Sequence, residues 1–394
     1  MHIAFDESQE ELRLELREYF AELMTPERRE ALVGGEGDGD YGSAYREIVR
    51  QMGSDGWLGI GWPEEYGGQD RTMLEQAIFT DEASIAGAPV PFLTINTVGP
   101  TIMEYGTKEQ RDFFLPKILA GELHFSIGYS EPDAGTDLAA LTTRADRDGD
   151  EYVVNGQKMW TSLIENADYV WLAVRTSQET KKHQGLSVLL VPTDSEGFSW
   201  SPVPTVTGAT TSQTFYEDVR VPTSALVGEE NGGWRLITGQ LNRERVALCS
   251  AAGVTNALRE TVMWAKEAKT ADGRRVIDHD WVRANLGRVH AKAEFLKLIN
   301  WKIAWGVDAD GVTPGDASAT KVFGTEFYTE AYRLLMECFG EEAYIKGDSP
   351  GSVLKGRIER MYRSALILTF GGGTNEVQRD MIAMKALGLP RPPR

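Results

Sequence analysis

The sequence predicts an α+β multidomain fold in which a helical region, a compact β region and a second helical region follow one another along the chain. Three observations lead there. From Phe5 to about Leu123, helix-start signals and apolar stripes at helical spacing dominate. Between about 124 and 231 the pattern changes to short runs rich in β-branched and aromatic residues, the composition of strands. From about Gly232 the helical pattern returns and persists almost to the end. The domains are accordingly placed at 1–123, 124–231 and 232–394.

The first helix opens with "FDESQEELRLELREYF", where Asp6 caps, Gln9 completes a capping box, and Leu12, Leu16 and Phe20 form the stripe. Clusters such as "GGEGDGDYG" and "WPEEYGGQD" break the region into loops. In the middle, "EYVVNGQKMWTS", "YVWLAV", "GLSVLLVP" and "TFYEDVRVP" read as strands, with Asn155-Gly156 as a two-residue hairpin signal. In the last region a helix opens near Asn242, its N-cap, and carries Ala247, Ala251, Val254, Leu258, Val262 and Ala265 at three- and four-residue steps. The closing "LPRPPR" is a proline-stopped terminus.

Composition narrows the function. A chain of 394 residues, 41% hydrophobic, is long enough for two or three domains. Its net charge of -18 repels phosphate backbones and anionic membranes, which argues against a nucleic-acid or membrane partner. Two cysteines, Cys249 and Cys338, with no secretory start and no membrane-length apolar run, place the chain in the cytoplasm. The five histidines are scattered without metal-ligand or triad spacing. Neither a Rossmann nor a P-loop fingerprint occurs, which disfavours a nicotinamide enzyme.

Two features carry chemistry. In "LTFGGGTNEVQRD", residues 368 to 380, Gly371 to Gly373 mark a place where something approaches the main chain closely, just before a polar helix start. Stepping back three from Ala247 along the helical stripe lands on Glu244. A carboxylate on an inward stripe is costly unless paired, and burial raises its proton affinity towards that of a general base. On spacing alone the plainer reading leads: Glu244 is a first-turn acid, favoured by the helix dipole and paired with Arg243 or Arg245.

"YSEPDAGTDL" at 129–138, "GQKMWTS" at 156–162, "ERVAL" at 244–248 and "GGGTNEVQRD" at 371–380 occur in an order that resembles an acyl-CoA dehydrogenase, and the resemblance covers essentially the whole chain. It is closest to the actinobacterial enzymes that shorten steroid (cholesterol) side chains, many of them α2β2 assemblies of unlike subunits. The resemblance implies a β-barrel-like middle domain, a C-terminal four-helix bundle and a bound FAD. It assigns Tyr129, Ser130, Trp160 and Ser162 to the flavin ring, Thr161 to the cofactor, Thr136 to the phosphates and thioester, and Thr374, Asn375 and Glu376 to the pyrophosphate. Many relatives carry the catalytic Glu immediately before the "GT" pair, where this chain has Gly372. The isovaleryl and long-chain branches place theirs at the position matching Glu244, which reverses the plainer reading. Asn242, Arg245, Gly371 and Gly372 then fall beside the acyl-CoA.

The implied reaction is α,β-dehydrogenation of a bulky or branched acyl-CoA to the trans-2-enoyl-CoA, with an electron-transfer flavoprotein as acceptor. Two stretches that reach a neighbour's FAD in homotetrameric relatives are altered here: "AKTADGRR" at 268–275 lacks its Phe and well-placed Arg, and "CFGEEAY" at 338–344 sets Glu341 and Glu342 where glycines face the pyrophosphate. An unlike partner subunit is therefore expected, giving two flavins per four chains. The rival readings are an acyl-CoA oxidase, whose usual extra C-terminal domain this length does not accommodate, and a non-catalytic subunit, which the intact motifs oppose.

Overall fold

The computed structural model describes residues 3–32, 39–178, 181–206, 210–247, 249–309, 311–347 and 349–390, with the side chains at 39–40, 241–247 and 314 excepted. The first region holds α1 (Glu7–Leu23), α2 (Pro26–Ala31), α3 (Gly39–Ser54), α4 (Met73–Ala86), α5 (Gly99–Tyr105) and α6 (Lys108–Leu119). Asp6 caps α1 in a closed box with Gln9, and Leu12, Leu16, Phe20 and Leu23 are buried, as the spacing predicts. Next come β1 (Phe125–Gly128), β2 (Arg144–Asp148), β3 (Glu151–Lys158), β4 (Tyr169–Arg175), β5 (Leu186–Pro192), β6 (Phe198–Pro204), β7 (Thr210–Pro222) and β8 (Leu226–Val227). The last region holds α7 (Gly233–Ala247), α8 (Ala252–Glu267), α9 (Asp280–Asp308), α10 (Pro314–Phe339), α11 (Arg357–Ala365) and α12 (Asn375–Met381). The helix, strand, helix order agrees with the sequence expectation.

The strands form one sheet in the order β6-β7-β3-β2-β4-β5-β8, with β1 parallel to β4. The run "YVWLAV" is apolar throughout because β4 is covered on both faces. Trp171 and Ala173 join the core made by the N-terminal helices, while Val170, Leu172 and Val174 pack with Tyr152, Val154 and Tyr216 on the other side. The C-terminal helices enclose a third core that includes Leu296, Phe327 and Leu335. No helix among the described residues is long and apolar enough to cross a membrane.

Three local expectations are corrected. Asn155-Gly156 is no hairpin: it lies within β3, where pairing to β7 shifts register between Val154 and Gly156. The turn falls earlier, at Gly149-Asp150, with Asp148 paired to Glu151. Gly156 has φ +152°, and a Cβ there would stand 2.5 Å from Thr143 Oγ1, so the glycine serves a bulge. Asn242 does not cap a helix either, since α7 starts at Gly233 and ends at Ala247, before α8 begins at Ala252. The apolar stripe crosses that break because three- and four-residue spacing happens to be kept across it. Tertiary bonds hold the junction: Asn300 Nδ2 donates to the Cys249 carbonyl at 2.6 Å, Tyr328 donates to the Ser250 carbonyl, and Ser250 Oγ donates to Asp81. Finally, of the glycine-rich "GGEGDGDYG", residues 34–38 lie outside the described residues and Gly39 to Gly42 already belong to α3.

Gly156→Ala forces a side chain into the bulge and strains a left-handed backbone, at a cost of about 2 kcal/mol or more. The expected outcome is a clearly lowered thermal midpoint; an unchanged midpoint would show that β3 can straighten there.

Candidate active site

The exits of β1 and β3 lie side by side. Past Gly128 the chain runs through Tyr129 and Ser130, and past Lys158 it runs through Met159 to Ser162. Met159 N donates to the Ser130 carbonyl at 2.8 Å. Lys158 is fully buried and donates to the Tyr129 carbonyl at 3.1 Å and to Glu131 Oε1 at 2.9 Å. Glu131 also accepts from Thr142 N at 2.7 Å, from the Thr142 hydroxyl at 2.8 Å and from Thr143 N at 2.8 Å. Burial alone would raise the Glu131 carboxyl, but the Lys158 charge and these donors outweigh it and hold it at about 2. Desolvation pulls Lys158 down to about 8, opposed by Glu131, so the ammonium stays charged at neutral pH.

This frame projects Trp160. Its backbone is left-handed, φ +64°, unusual for a bulky residue, and its side chain is 56% exposed. The flanks are locked: Thr161 N donates to the Ser212 carbonyl at 2.8 Å, and the Ser162 hydroxyl lies 3.0 Å from that of Thr211. The buried Thr161 hydroxyl faces Thr214 at 3.4 Å. Ser130 is half-buried and Thr136 is exposed. Tyr129 turns inward, its hydroxyl donating to Gln240 Oε1 of α7 and accepting from Trp171 Nε1 at 3.0 Å, so only its main chain lies at the exposed frame.

A second cluster is built on α10. The glycine loop turns through Gly372 at φ +67° and Gly373 at φ +94°, and a Cβ on Gly373 would meet Gln378 Nε2 at 2.7 Å. Buried Lys321 donates to the Gly373 carbonyl at 2.8 Å and to Asn375 Oδ1 at 2.7 Å. Thr374 caps α12 by accepting from Val377 N, and Glu376 is exposed. The Asn375 side chain points into the protein, where its Nδ2 donates to Thr325 at 3.1 Å and Glu326 at 3.2 Å. The structure thus groups Tyr129, Ser130, Trp160, Thr161 and Ser162 on one scaffold, and Gly371, Gly372, Thr374, Asn375 and Glu376 on another.

Glu244, Asn242 and Arg245 lie on α7, but their side chains are outside the described residues. The backbone corrects their setting: position 244 is in the last turn of α7, so the first-turn dipole argument does not apply. Position 244 is one turn beyond Gln240 and shares its helix face. Gln240 is buried against Tyr129, so that face looks towards the β1 exit.

The sequence reading missed Gln240 and the Lys158–Glu131 pair. Lys158 carried a signal, because it sits in the buried phase of β3 with Tyr152 and Val154, where a lysine needs a counter-charge. Nothing local in the sequence marks Gln240, whose partner is 111 residues away.

Models of the acyl-CoA dehydrogenase N-terminal, middle and C-terminal domains match residues 6–122, 126–219 and 231–387. Acyl-CoA dehydrogenase FadE26 of Mycobacterium tuberculosis is 66% identical, over 99% of this chain and 99% of its own length. The crystal structure of the ChsE4-ChsE5 complex from Mycobacterium tuberculosis includes a chain that is 66% identical with a TM-score of 0.93, covering 100% of both chains. A chain of the Tcur3481-Tcur3483 steroid ACAD is 49% identical with a TM-score of 0.93, again over 100% of both.

Lys158→Met strands a buried carboxylate, which costs about 3–5 kcal/mol and lowers the thermal midpoint at pH 7. Glu131 has a folded value of about 2 against 4.5 for the free group, so its contribution is complete above pH 4.5 and is lost as pH falls from there towards 2. Glu131→Gln should therefore flatten the loss of stability across that window, as followed by melting at stepped pH. A Lys158→Met protein that melts with the parent contradicts this account of the frame.

Proposed function

The chain belongs to the acyl-CoA dehydrogenase family, and on that premise we propose that it catalyses the FAD-dependent α,β-dehydrogenation of a bulky, steroid side-chain acyl-CoA, with Glu244 as base and an unlike subunit as partner. The observation that carries the reading is Trp160, an aromatic face held outward on a locked, left-handed turn. The residues present fit a flavin: Ser130 and Ser162 supply hydroxyls beside that face, and Gly373 keeps the second cluster free of a side chain. Thr161 flanks Trp160 through its main chain, Thr136 is exposed on the loop after β1, and the turn from Thr374 to Glu376 offers main-chain N–H groups to phosphate. When bound, FAD supplies the acceptor for hydride from the carbon β to the thioester.

The work of this chain's own residues is proton removal and alignment. Glu244 takes the proton from the carbon α to the thioester, and Asn242 and Arg245 help to hold the acyl-CoA. The shared face with Gln240, turned towards the β1 exit, supports that assignment. So does Gly372, whose φ of +67° would strain a glutamate at the loop position used by other members. Main-chain donors aimed at the thioester carbonyl would stabilise enolate character by several kcal/mol, of order 3. In the assembled protein, Glu244→Gln should slow substrate-driven bleaching of the flavin about a thousandfold while FAD content stays at the parent level. Bleaching as fast as the parent's would refute the base.

The partner is supported by the two related complexes, ChsE4-ChsE5 and Tcur3481-Tcur3483. Within this chain, Arg274 is paired with Asp272 at 2.7 Å and Arg275 with Asp278 at 2.8 Å, both at the surface. Glu341 and Glu342 are exposed on the turn Gly340–Tyr344. Phe295, Leu298 and Trp305 of α9 and Phe370 beside the glycine loop are exposed, as an interface requires. Electron-transfer flavoprotein is the proposed acceptor. Co-expression with an unlike acyl-CoA dehydrogenase subunit should yield four chains carrying two FAD, weighed by light scattering and flavin absorbance. A homotetramer of this chain alone, with one FAD per subunit, would rule the partner out.

A further inference from the structure

Between the end of α7 at Ala247 and the start of α8 at Ala252, Ser250 is held by three elements at once. Its carbonyl accepts from the Tyr328 hydroxyl of α10. Its own hydroxyl oxygen accepts from Ala252 N of α8 at 3.0 Å and donates to Asp81 of α4. A serine hydroxyl has one proton to give, and here it goes to a carboxylate. An ionised acceptor makes such a bond roughly twice as strong as a neutral one.

Asp81 is partly buried at the foot of a surface groove that α1, α8 and α9 also line. The charged groups facing it are engaged elsewhere. Glu82 is paired with Arg17 and Arg13 of α1, and Glu10 with Arg13. Lys297 of α9 is paired with Glu294 at 3.1 Å. On the inner side, Arg71 is paired with Glu75 at 3.0 Å, and Asp308 accepts from Met73 N at 2.9 Å. From α8 come Ala252 and Thr255, which do not titrate, and the Tyr328 phenol is kept neutral by burial. Burial pushes the Asp81 carboxyl up to about 6; the Ser250 bond and Lys297 oppose the rise, and Glu82 adds to it. The groove gives protons a route to it.

We infer that Asp81 is a positioning residue for the proposed reaction: through Ser250 its carboxylate fixes where α7 stops, and with it the bearing of the base at position 244. The inference rests on the proposed role of Glu244. Position 244 lies in the last turn of α7, so little helix separates it from the stop to absorb a shift there. Misplacing a reacting group by about 1 Å costs on the order of a hundredfold in rate. Above about pH 6 the carboxylate is charged and the joint is tight; below it, protonation weakens the bond from Ser250 and the base loses its bearing.

The test uses the assembled enzyme with its FAD and a steroid side-chain acyl-CoA, and reads the limiting rate of flavin bleaching and the half-saturating substrate concentration as pH is stepped through 6. Ser250→Ala should lower the limiting rate at least tenfold, with half-saturation within about twofold and FAD content at the parent level. Ser250→Thr, which keeps the hydroxyl, should restore the rate. Asp81→Asn keeps an acceptor without the charge, so its rate above pH 6 should fall about tenfold, to the level of the parent at low pH, and the step near pH 6 should vanish. A purely structural role for this contact would lower the melting midpoint while the flavin-loaded protein kept the parent's limiting rate and pH profile; that result overturns the inference. Should Asp81→Asn fail to load FAD, the two Ser250 variants decide by the same rates. Glu244→Gln, run alongside, separates the failures. Parent-like bleaching in Glu244→Gln removes the base and this inference with it, whereas slow bleaching there beside a parent-like Ser250→Ala rejects this inference and leaves the dehydrogenase reading standing.

Discussion

A charge shut away from water must find its partners inside the protein, and two lysines in that position set the shape of the candidate site. Lys158 and Lys321 are almost wholly buried, and each donates to a main-chain carbonyl of a loop that bears site residues, Tyr129 in one case and Gly373 in the other. Neither loop can relax without leaving an ammonium short of an acceptor, a penalty of several kcal/mol. That constraint is strong enough to sustain Trp160 in a left-handed conformation, which by itself costs about 1–3 kcal/mol. The outward aromatic face is thus a consequence of a buried ion pair one residue from its loop.

The same logic orders the helix that carries position 244. α7 is tied to the β region by the Tyr129–Gln240 bond and to the C-terminal bundle by the bonds at the Cys249–Ser250 junction. A helix held at mid-length and just past its C-terminal end by tertiary bonds can stop where its intrinsic pattern would continue. The stop turns Ser250 towards Asp81 of α4, to which its hydroxyl donates.

Legibility in the sequence followed the range of the interactions. Capping boxes are local, so Asp6 and Gln9 were readable from four letters, and the buried strand β4 was readable from an unbroken apolar run. Asn155-Gly156 misled because the turn signal is local while the bulge is imposed by β7, some sixty residues on in chain order. The break after Ala247 was invisible because periodicity reports phase, not continuity. Site residues came from the order of motifs, whereas Gln240 depends on a contact with Tyr129 that no stretch of sequence displays.

The change at Gly372 and the changes at 268–275 and 338–344 bear on one another. A loop base belongs to the same segment as the helix start offered to phosphate, so substrate geometry and cofactor geometry are set together. With the base on α7, as proposed, the glycine loop is released from the first duty, and Lys321, Thr374 and the Gly371 N–H bond to the Ile367 carbonyl define it. The far side of the cofactor then becomes the task of whichever chain docks there. On the proposed assembly, Glu341 and Glu342 make a second copy a poor choice: a carboxylate about 4 Å from a phosphate charge is opposed by about 4 kcal/mol at an effective dielectric of 20. A partner with glycines at that turn meets no such opposition. On that proposal the acidic turn acts less as a lost function than as discrimination between partners, with the reaction on one kind of subunit and the cofactor site completed by the other.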